Sequence, residues 1–335
     1  MPVIKLGING FGRIGRLAMR VIAEHPGMSC VAINDPAGDA STQAHLMNFD
    51  SVHGRWSREM RAHDNALWLD GERIAFSQNT AVADTDWSGC DLVLECSGKV
   101  KTVAKLTAYL DQGVQRVVVS APVKEPGALN IVMGVNHHDC DPSDRILTAA
   151  SCTTNCIAPA IKVIQETFGI KHASITTIHS LTNTQTIIDA AHKDLRRARS
   201  CGTSLIPTST GSATAIVEIF PELAGRIDGM AIRVPLTNAS ITDCAIELHE
   251  PTTIEAVNAA LRHASENELS GVLGFETRPL VSVDYQTDPR SSIVDAPSTN
   301  VINGTQVKLM LWYDNEWGYA NRTVELAHWA MTQNA

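Results

Sequence analysis

Two cysteines four positions apart, Cys152 and Cys156 in ASCTTNC (150–156), lead into a run whose apolar residues Ile157, Ile161, Ile164 and Phe168 recur at helical steps. A thiol at a helix N-terminus meets the positive end of the macrodipole and uncommitted N–H groups. Both favour the thiolate, so Cys152 reads as a nucleophile. Ser151 and Thr153 add hydroxyl donors beside it, and backbone N–H groups there could hold an oxyanion. Cys156, one turn on, reads as a packed thiol in preference to a redox relay. A thiol nucleophile needs a base, and His179, which closes the strand-like SITTIH, is a candidate among 12 histidines.

A second constellation lies at residues 7–15, GINGFGRIG, where Gly10, Gly12 and Gly15 form G-x-G-x-x-G between a strand and an amphipathic helix. The first glycine allows a tight turn, the second admits a pyrophosphate to the backbone, and the third lets helix and strand pack closely. A second strand ends at Asp35, where a carboxylate can accept hydrogen bonds from the ribose hydroxyls of NAD. A third lies between Thr182 and Gly211, where Lys193, Arg196, Arg197 and Arg199 gather among threonines. Guanidinium forks and hydroxyls suit a phosphate, although a solvated basic face has the same composition. Arg233, inside the apolar MAIRVP, points more sharply to an anionic partner.

These groups need rigid elements to hold them. Over the first half, Val3–Ile8, Cys30–Ile33, Asp91–Glu95 and Arg116–Ser120 alternate with helical patterns such as Ile14, Leu17, Ala18, Val21 and Ile22. That alternation predicts βαβ units and a parallel sheet. From Ser151 on, strand-like Thr242–Leu248, Leu280–Tyr285 and Gln306–Asp314 predict a mainly antiparallel sheet with helices on one side. One such helix is marked by Thr252 and Glu255, spaced as a capping box ahead of Ile254, Val257 and Leu261. After Trp317 the pattern is helical again.

Composition bounds the rest. At 335 residues two domains are expected. No apolar run is long enough to span a bilayer and no basic-then-apolar leader opens the chain, so the expectation is a cytoplasmic protein with no membrane role. A net charge of −9 without a basic tail suits a small-molecule partner and not nucleic acid. Eight cysteines are scattered without a CxxC pair, so neither a disulfide framework nor a metal site is expected.

Together GINGFGRIG, SAP at 120, ASCTTNC, HKDLRRAR, PTSTG and WYDNEWGY resemble the glyceraldehyde-3-phosphate dehydrogenase family over essentially the whole chain. The resemblance implies an α/β Rossmann NAD-binding domain over 1–150, to which a C-terminal helix (316–335) returns, and an α+β catalytic domain over 151–315. It also implies a homotetramer. Cys152 would be the nucleophile and His179 its partner. Gly10, Gly12, Arg13 and Ile14 would serve the pyrophosphate, Asp35 the adenosine ribose, Ser120 the middle of the cofactor and Asn315 the nicotinamide amide. Thr182 and Arg233 would hold the phosphate of the aldehyde substrate, while Ser151, Thr153, Arg197, Thr210 and Gly211 would line the site of the attacking inorganic anion. The implied chemistry runs through a hemithioacetal, hydride loss to NAD, and a thioester cleaved by phosphate.

The chain departs from the family pattern at Thr184, where an aspartate is usual, at Pro36 and at Ala191. The last two flank the adenosine ribose and relax the steric case against NADP, leaving a modest NAD preference. NDPAGDA (34–40) with HSLTNTQTIID (179–189) resembles an arsenic-resistance subgroup, in which arsenate would replace phosphate and yield 1-arseno-3-phosphoglycerate. Two rival functions fit many of the same residues: an erythrose-4-phosphate dehydrogenase that hydrolyses its thioester, and a non-catalytic nucleotide-binding redox sensor.

Overall fold

The βαβ alternation is realised directly: the strand Ile4–Asn9 runs into the helix Arg13–Ala23 and then the strand Met28–Asn34. In the computed structural model, which describes residues 2–333, two units form. One comprises the chain up to Met133, His137–Ala150 and the segment from Tyr319 on; the other comprises Gly134–Asn136 and Ser151–Gly318.

The first unit holds a nine-stranded sheet. Its central strands are parallel, in the order Glu72–Ser77, Met28–Asn34, Ile4–Asn9, Leu92–Glu95, Arg116–Val119, Ile146–Thr148. Leu92–Glu95 and Arg116–Val119 are buried at every position, as strands covered on both faces must be. The order reverses between Ile4–Asn9 and Leu92–Glu95, and a crevice outside the strand C-termini opens at such a switch point. The helix Trp317–Thr332 joins this unit from Tyr319 on, and Arg116 ties it down by donating to Ala330 O at 2.6 Å. Residues 334 and 335 of the expected terminal helix lie outside the described residues.

The second unit is built on an eight-stranded mixed sheet. Ser240–Leu248 and Gln306–Tyr313 pair antiparallel and alternate buried with part-buried residues, the signature of a sheet with one face on the core. The helix Cys152–Phe168 packs on this sheet, and Gly169, at φ +69°, ends it. The mainly antiparallel expectation needs two amendments, because Ile170–His179 pairs parallel with Ile227–Arg233, and Leu273–Glu276 pairs parallel with Ser292–Asp295.

Two local readings are corrected. Leu280–Tyr285 is not a strand: Ser282–Tyr285 is a 3₁₀ turn whose Asp284 accepts from Val281 N–H, leaving Val281 and Val283 exposed and Tyr285 stacked on Trp312. The helix Ile254–Glu266 is capped by Thr253, whose hydroxyl accepts from Ala256 N–H, and not by Thr252. Among the described residues no helix is long and apolar enough to cross a membrane.

Candidate active site

The nucleotide-binding features of the first unit meet where Ile4–Asn9 ends. Gly10 takes φ +90°, and a Cβ there would lie 2.4 Å from the backbone of Ser97. At Gly15 a Cβ would lie 2.1 Å from Gly10 O, so both positions require glycine for close approach. Gly12 differs: nothing lies within 4 Å of its Cβ direction. As N-cap of the Arg13–Ala23 helix it offers no side-chain cap, and no acidic residue stands in the first turn, so this helix end suits an anionic group. Asp35 accepts from Phe11 N–H at 2.6 Å and Ala37 N–H at 2.8 Å, which fastens the carboxylate to the glycine turn. These features fit a dinucleotide.

The Arg13 guanidinium is paired with the nearly buried Asp50, while the backbone N–H groups of Arg13 and Ile14 lie at the start of the helix. Burial pushes the Asp50 carboxyl up, but hydrogen bonds from Arg13 and from His53 and Val52 N–H outweigh it and bring it down to about 2. Ser120 N–H donates to Glu95 O at 2.9 Å, at the head of the neighbouring strand.

In the second unit, Ser151 caps the Cys152–Phe168 helix by accepting from Thr154 N–H at 3.1 Å. Ala150, just before it, is held at φ +50°, a conformation that costs an alanine roughly 1 kcal/mol. Cys152 therefore begins the helix, and its Sγ lies 3.6 Å from His179 Nε2. His179 and Arg233 are directly opposite one another in the parallel pair of Ile170–His179 with Ile227–Arg233. That register puts Arg233 Nη1 2.7 Å from His179 Nδ1.

The electrostatics depart from a thiolate formed by a helix end alone. Burial pushes the Cys152 thiol above its ordinary value, against the pull of the Arg233 charge and the hydrogen bonds from Thr153. Burial, then Arg233, also lowers His179 to about 3, holding the ring neutral. Nδ1 has two suitors, since Ser180 O lies 2.7 Å away and can accept from it only when Nδ1 carries the proton, whereas Arg233 can only donate. Among the described residues Arg233 has no carboxylate as a hydrogen-bond partner, and its buried Nε has no partner. A desolvated cation so placed calls for an anionic ligand.

The remaining expected residues fall into distinct places. Thr153 Oγ1 lies 2.9 Å from Tyr313 Oη, so its hydroxyl faces a phenol beside Cys152. Arg197 donates to Thr208 Oγ1 at 2.9 Å, and its charge acts on both His179 and Arg233. Thr182 Oγ1 lies 2.8 Å from Thr184 Oγ1, and Thr210 Oγ1 lies 2.9 Å from Ser212 Oγ. Gly211 caps the helix Ser212–Ile219 without a side-chain acceptor. None of Thr182, Thr210 and Gly211 is hydrogen-bonded to Cys152 or His179. Arg199 is paired with Asp189 at the surface.

Sequence reasoning missed Ser180 and Ser240. Their hydroxyls donate to Asn315 Oδ1 at 2.8 and 3.1 Å, which fixes the orientation of the Asn315 amide. Ser180 follows His179 in sequence, but nothing local signals its reach to residue 315. Tyr313 shares the inward face of Gln306–Tyr313 and reads from sequence as core; its hydroxyl contact with Thr153 was not visible there. Cys156 is fully buried, near Thr242, Ser292 and Leu311 O, and burial pushes its thiol up to about 12, as a packed thiol requires. Among the described residues no group of three or more metal-ligating side chains gathers.

Comparison with known proteins agrees with this arrangement. Residues 4–103 match the glyceraldehyde 3-phosphate dehydrogenase NAD binding domain, and residues 151–315 match the C-terminal domain of the same family. The chain is 58% identical over 328 residues to glyceraldehyde-3-phosphate dehydrogenase 3 of Nostoc sp., covering 97% of both chains. It is 46% identical to glyceraldehyde-3-phosphate dehydrogenase of Geobacillus stearothermophilus and 47% identical to that of Pseudomonas aeruginosa, again over 97% of each. A fastened nucleotide turn, a helix-start thiol beside an imidazole, and these two family matches lead to one assignment: the chain belongs to the glyceraldehyde-3-phosphate dehydrogenase family.

Proposed function

We propose that this chain oxidises D-glyceraldehyde 3-phosphate with NAD and inorganic phosphate to 1,3-bisphosphoglycerate, through a thioester on Cys152. The observation that carries the reading is the helix-start sulfur 3.6 Å from His179 Nε2, with the Arg233 guanidinium, which meets no carboxylate among the described residues, behind the ring.

Arg233, with Thr182, holds the substrate phosphate, and that dianion offsets the positive charge beside His179. The ring proton then sits on Nδ1, donated to Ser180 O, and leaves the Nε2 lone pair facing sulfur. Cys152 attacks the aldehyde carbon as its proton passes to Nε2 and from there to the former carbonyl oxygen, which becomes the hydroxyl of the hemithioacetal. His179 next takes the hydroxyl proton of the hemithioacetal as the carbon is oxidised. Bound NAD supplies the hydride acceptor for that oxidation. Asn315, its carbonyl held by Ser180 and Ser240, offers its amide N–H to the nicotinamide carboxamide. Gly10, Gly12, Arg13 and Ile14 bind the pyrophosphate through backbone, Asp35 binds the ribose, and Ser120 lies along the cofactor. Arg197, Thr210 and Gly211, with Ser151 and Thr153, orient the attacking phosphate; its oxygen bonds to the acyl carbon and the Cys152 thiolate leaves.

Three finer statements belong to the same reading. Arsenate, a tetrahedral oxyanion of similar size, is accepted at the inorganic-anion site. The chain assembles as a homotetramer, a reading supported by Ile187, Ile188, Leu195 and Leu205, all at least 69% exposed within one segment. It works in the cytoplasm.

The test is NADH formation from glyceraldehyde 3-phosphate with phosphate, with arsenate or with neither, for wild type and Cys152→Ser. Turnover that needs an anion and vanishes in Cys152→Ser is expected. Anion-independent turnover would favour thioester hydrolysis, and turnover by Cys152→Ser at the wild-type rate would remove sulfur from the chemistry.

A further inference from the structure

Near its C-terminal end the helix Trp317–Thr332 carries two ring contacts that the chemistry above makes no use of, one on His328 and one on Trp329. His328 meets His25 with ring centroids 4.4 Å apart. Trp329 meets His137 in a T-shaped contact at 5.5 Å, and His137 lies against His138 at 3.8 Å. Two pairs of imidazoles therefore bear on one helix end, all within the first unit.

His25 sits in the turn between Arg13–Ala23 and Met28–Asn34, and backbone holds its ring. Its Nδ1 accepts from Gly27 N–H at 3.2 Å, and Gly27 O accepts from Ile4 N–H at 2.9 Å. A Cβ on Gly27 would lie 3.4 Å from His25 and 3.6 Å from His328, so both rings reach over one glycine. Nδ1 can accept only while it carries no proton. An imidazolium at His25 loses the Gly27 bond and faces a second ring that resists a like charge. In the other pair two imidazolium rings would stand 3.8 Å apart.

The charged groups around these rings do not absorb the added charge. Glu24 adjoins His25 but is paired with Arg58 at 3.0 Å, and Glu325, one turn before His328, is paired with Arg322 at 2.7 Å. Arg116 donates to Ala330 O, so the cation that a helix C-terminus favours is already in place. Burial, then His25, holds His328 below the ordinary imidazole value; burial, then His138, does the same for His137 against the pull of Asp139. Both rings take up protons more readily once the helix end is free, so opening consumes protons. Acid favours it from about pH 6.5 downward.

We propose that the end of this helix is an acid-released clasp, held to the first unit while the four imidazoles are neutral and let go as they take up protons. The clasp needs neither cofactor nor aldehyde.

Hydrogen exchange of the full-length protein, read as protection factors, tests it. Between about pH 6.5 and about pH 5.5 the amides of 326–332 should lose protection on the order of tenfold, the worth of one proton taken up on opening, while those of Leu92–Glu95 in the same unit hold theirs. In the double variant His328→Asn with His137→Asn, that loss should shrink to less than about twofold. Unchanged protection of 326–332 in the wild type overturns the proposal. An equal loss at Leu92–Glu95, which marks unfolding of the whole unit, overturns it too, as does an undiminished acid loss in the double variant. Should the double variant lack protection even at neutral pH, His328→Asn alone takes its place, and an acid loss as large as that of the wild type is the overturning result.

Discussion

Arg233 Nη1 stands 2.7 Å from His179 Nδ1, so the group behind the imidazole is a cation where many catalytic histidines have a carboxylate. The ring cannot comfortably hold a second proton until an anion neutralises its neighbour. Arg233→Gln should therefore strike the phosphorylated aldehyde selectively. Its kcat/KM is expected to fall on the order of 100-fold, the worth of charge-assisted hydrogen bonds, while unphosphorylated glyceraldehyde loses far less. Steady-state kinetics with both aldehydes checks this; equal losses would show that the arginine does not read the phosphate.

Asp35 joins the C-terminal end of Met28–Asn34 to the glycine turn through Phe11 N–H. Asp35→Ala removes that tie and the negative charge together. NAD affinity should weaken about tenfold, NADP affinity should fall less or rise, and the preference between them should narrow. Binding titrations with both cofactors decide it, and an unchanged preference would place nucleotide selection elsewhere.

Asp50 carries an acid-stability prediction. Its folded-state pKa of about 2 lies below the unfolded value of about 3.9, so folding favours the carboxylate. The resulting stabilisation, up to ~2 kcal/mol, is complete above about pH 5 and is lost as pH falls toward 2. Asp50→Asn should lower stability at pH 7 and flatten the pH dependence in that window, as denaturant titration at pH 7 and pH 3 will report. Loss of the same size at both pH values would contradict the assignment.

Cys156 is sealed in the second unit, and its raised thiol makes it a poor nucleophile. Cys156→Ala should retain wild-type turnover and cost roughly 1 kcal/mol for the small cavity it leaves. Iodoacetamide should still abolish activity in that variant by modifying Cys152. Protection from iodoacetamide in Cys156→Ala would instead make residue 156 the reactive sulfur.

What sequence reveals follows from how local each requirement is. Gly10 and Gly15 are legible because a tight turn and a close helix–strand approach are backbone demands met within a few residues. Cys152 at a helix start is legible for the same reason, although the burial that raises its thiol is not. The pairing of His179 with Arg233 depends on the register of two strands whose residues are 54 positions apart. The Ser180 and Ser240 contacts with Asn315 span longer separations still. Leu280–Tyr285 shows the opposite failure: its period-two pattern suits a strand, but a 3₁₀ turn with Tyr285 stacked on Trp312 satisfies the same residues.

His179 and Arg233 form the last rung of a parallel ladder, which Val234 N–H closes by donating to His179 O at 3.0 Å. Their spacing is consequently a property of the ladder and not of side-chain choice. Removing one residue from either strand would turn every following side chain to the opposite face and part the base from its cation. The neighbouring segment 187–205, outside any strand or helix, is under no such discipline. Arg197 there keeps its place through side-chain hydrogen bonds to Thr208 Oγ1 and Ser209 O, so its position depends on those partners and not on a strand register.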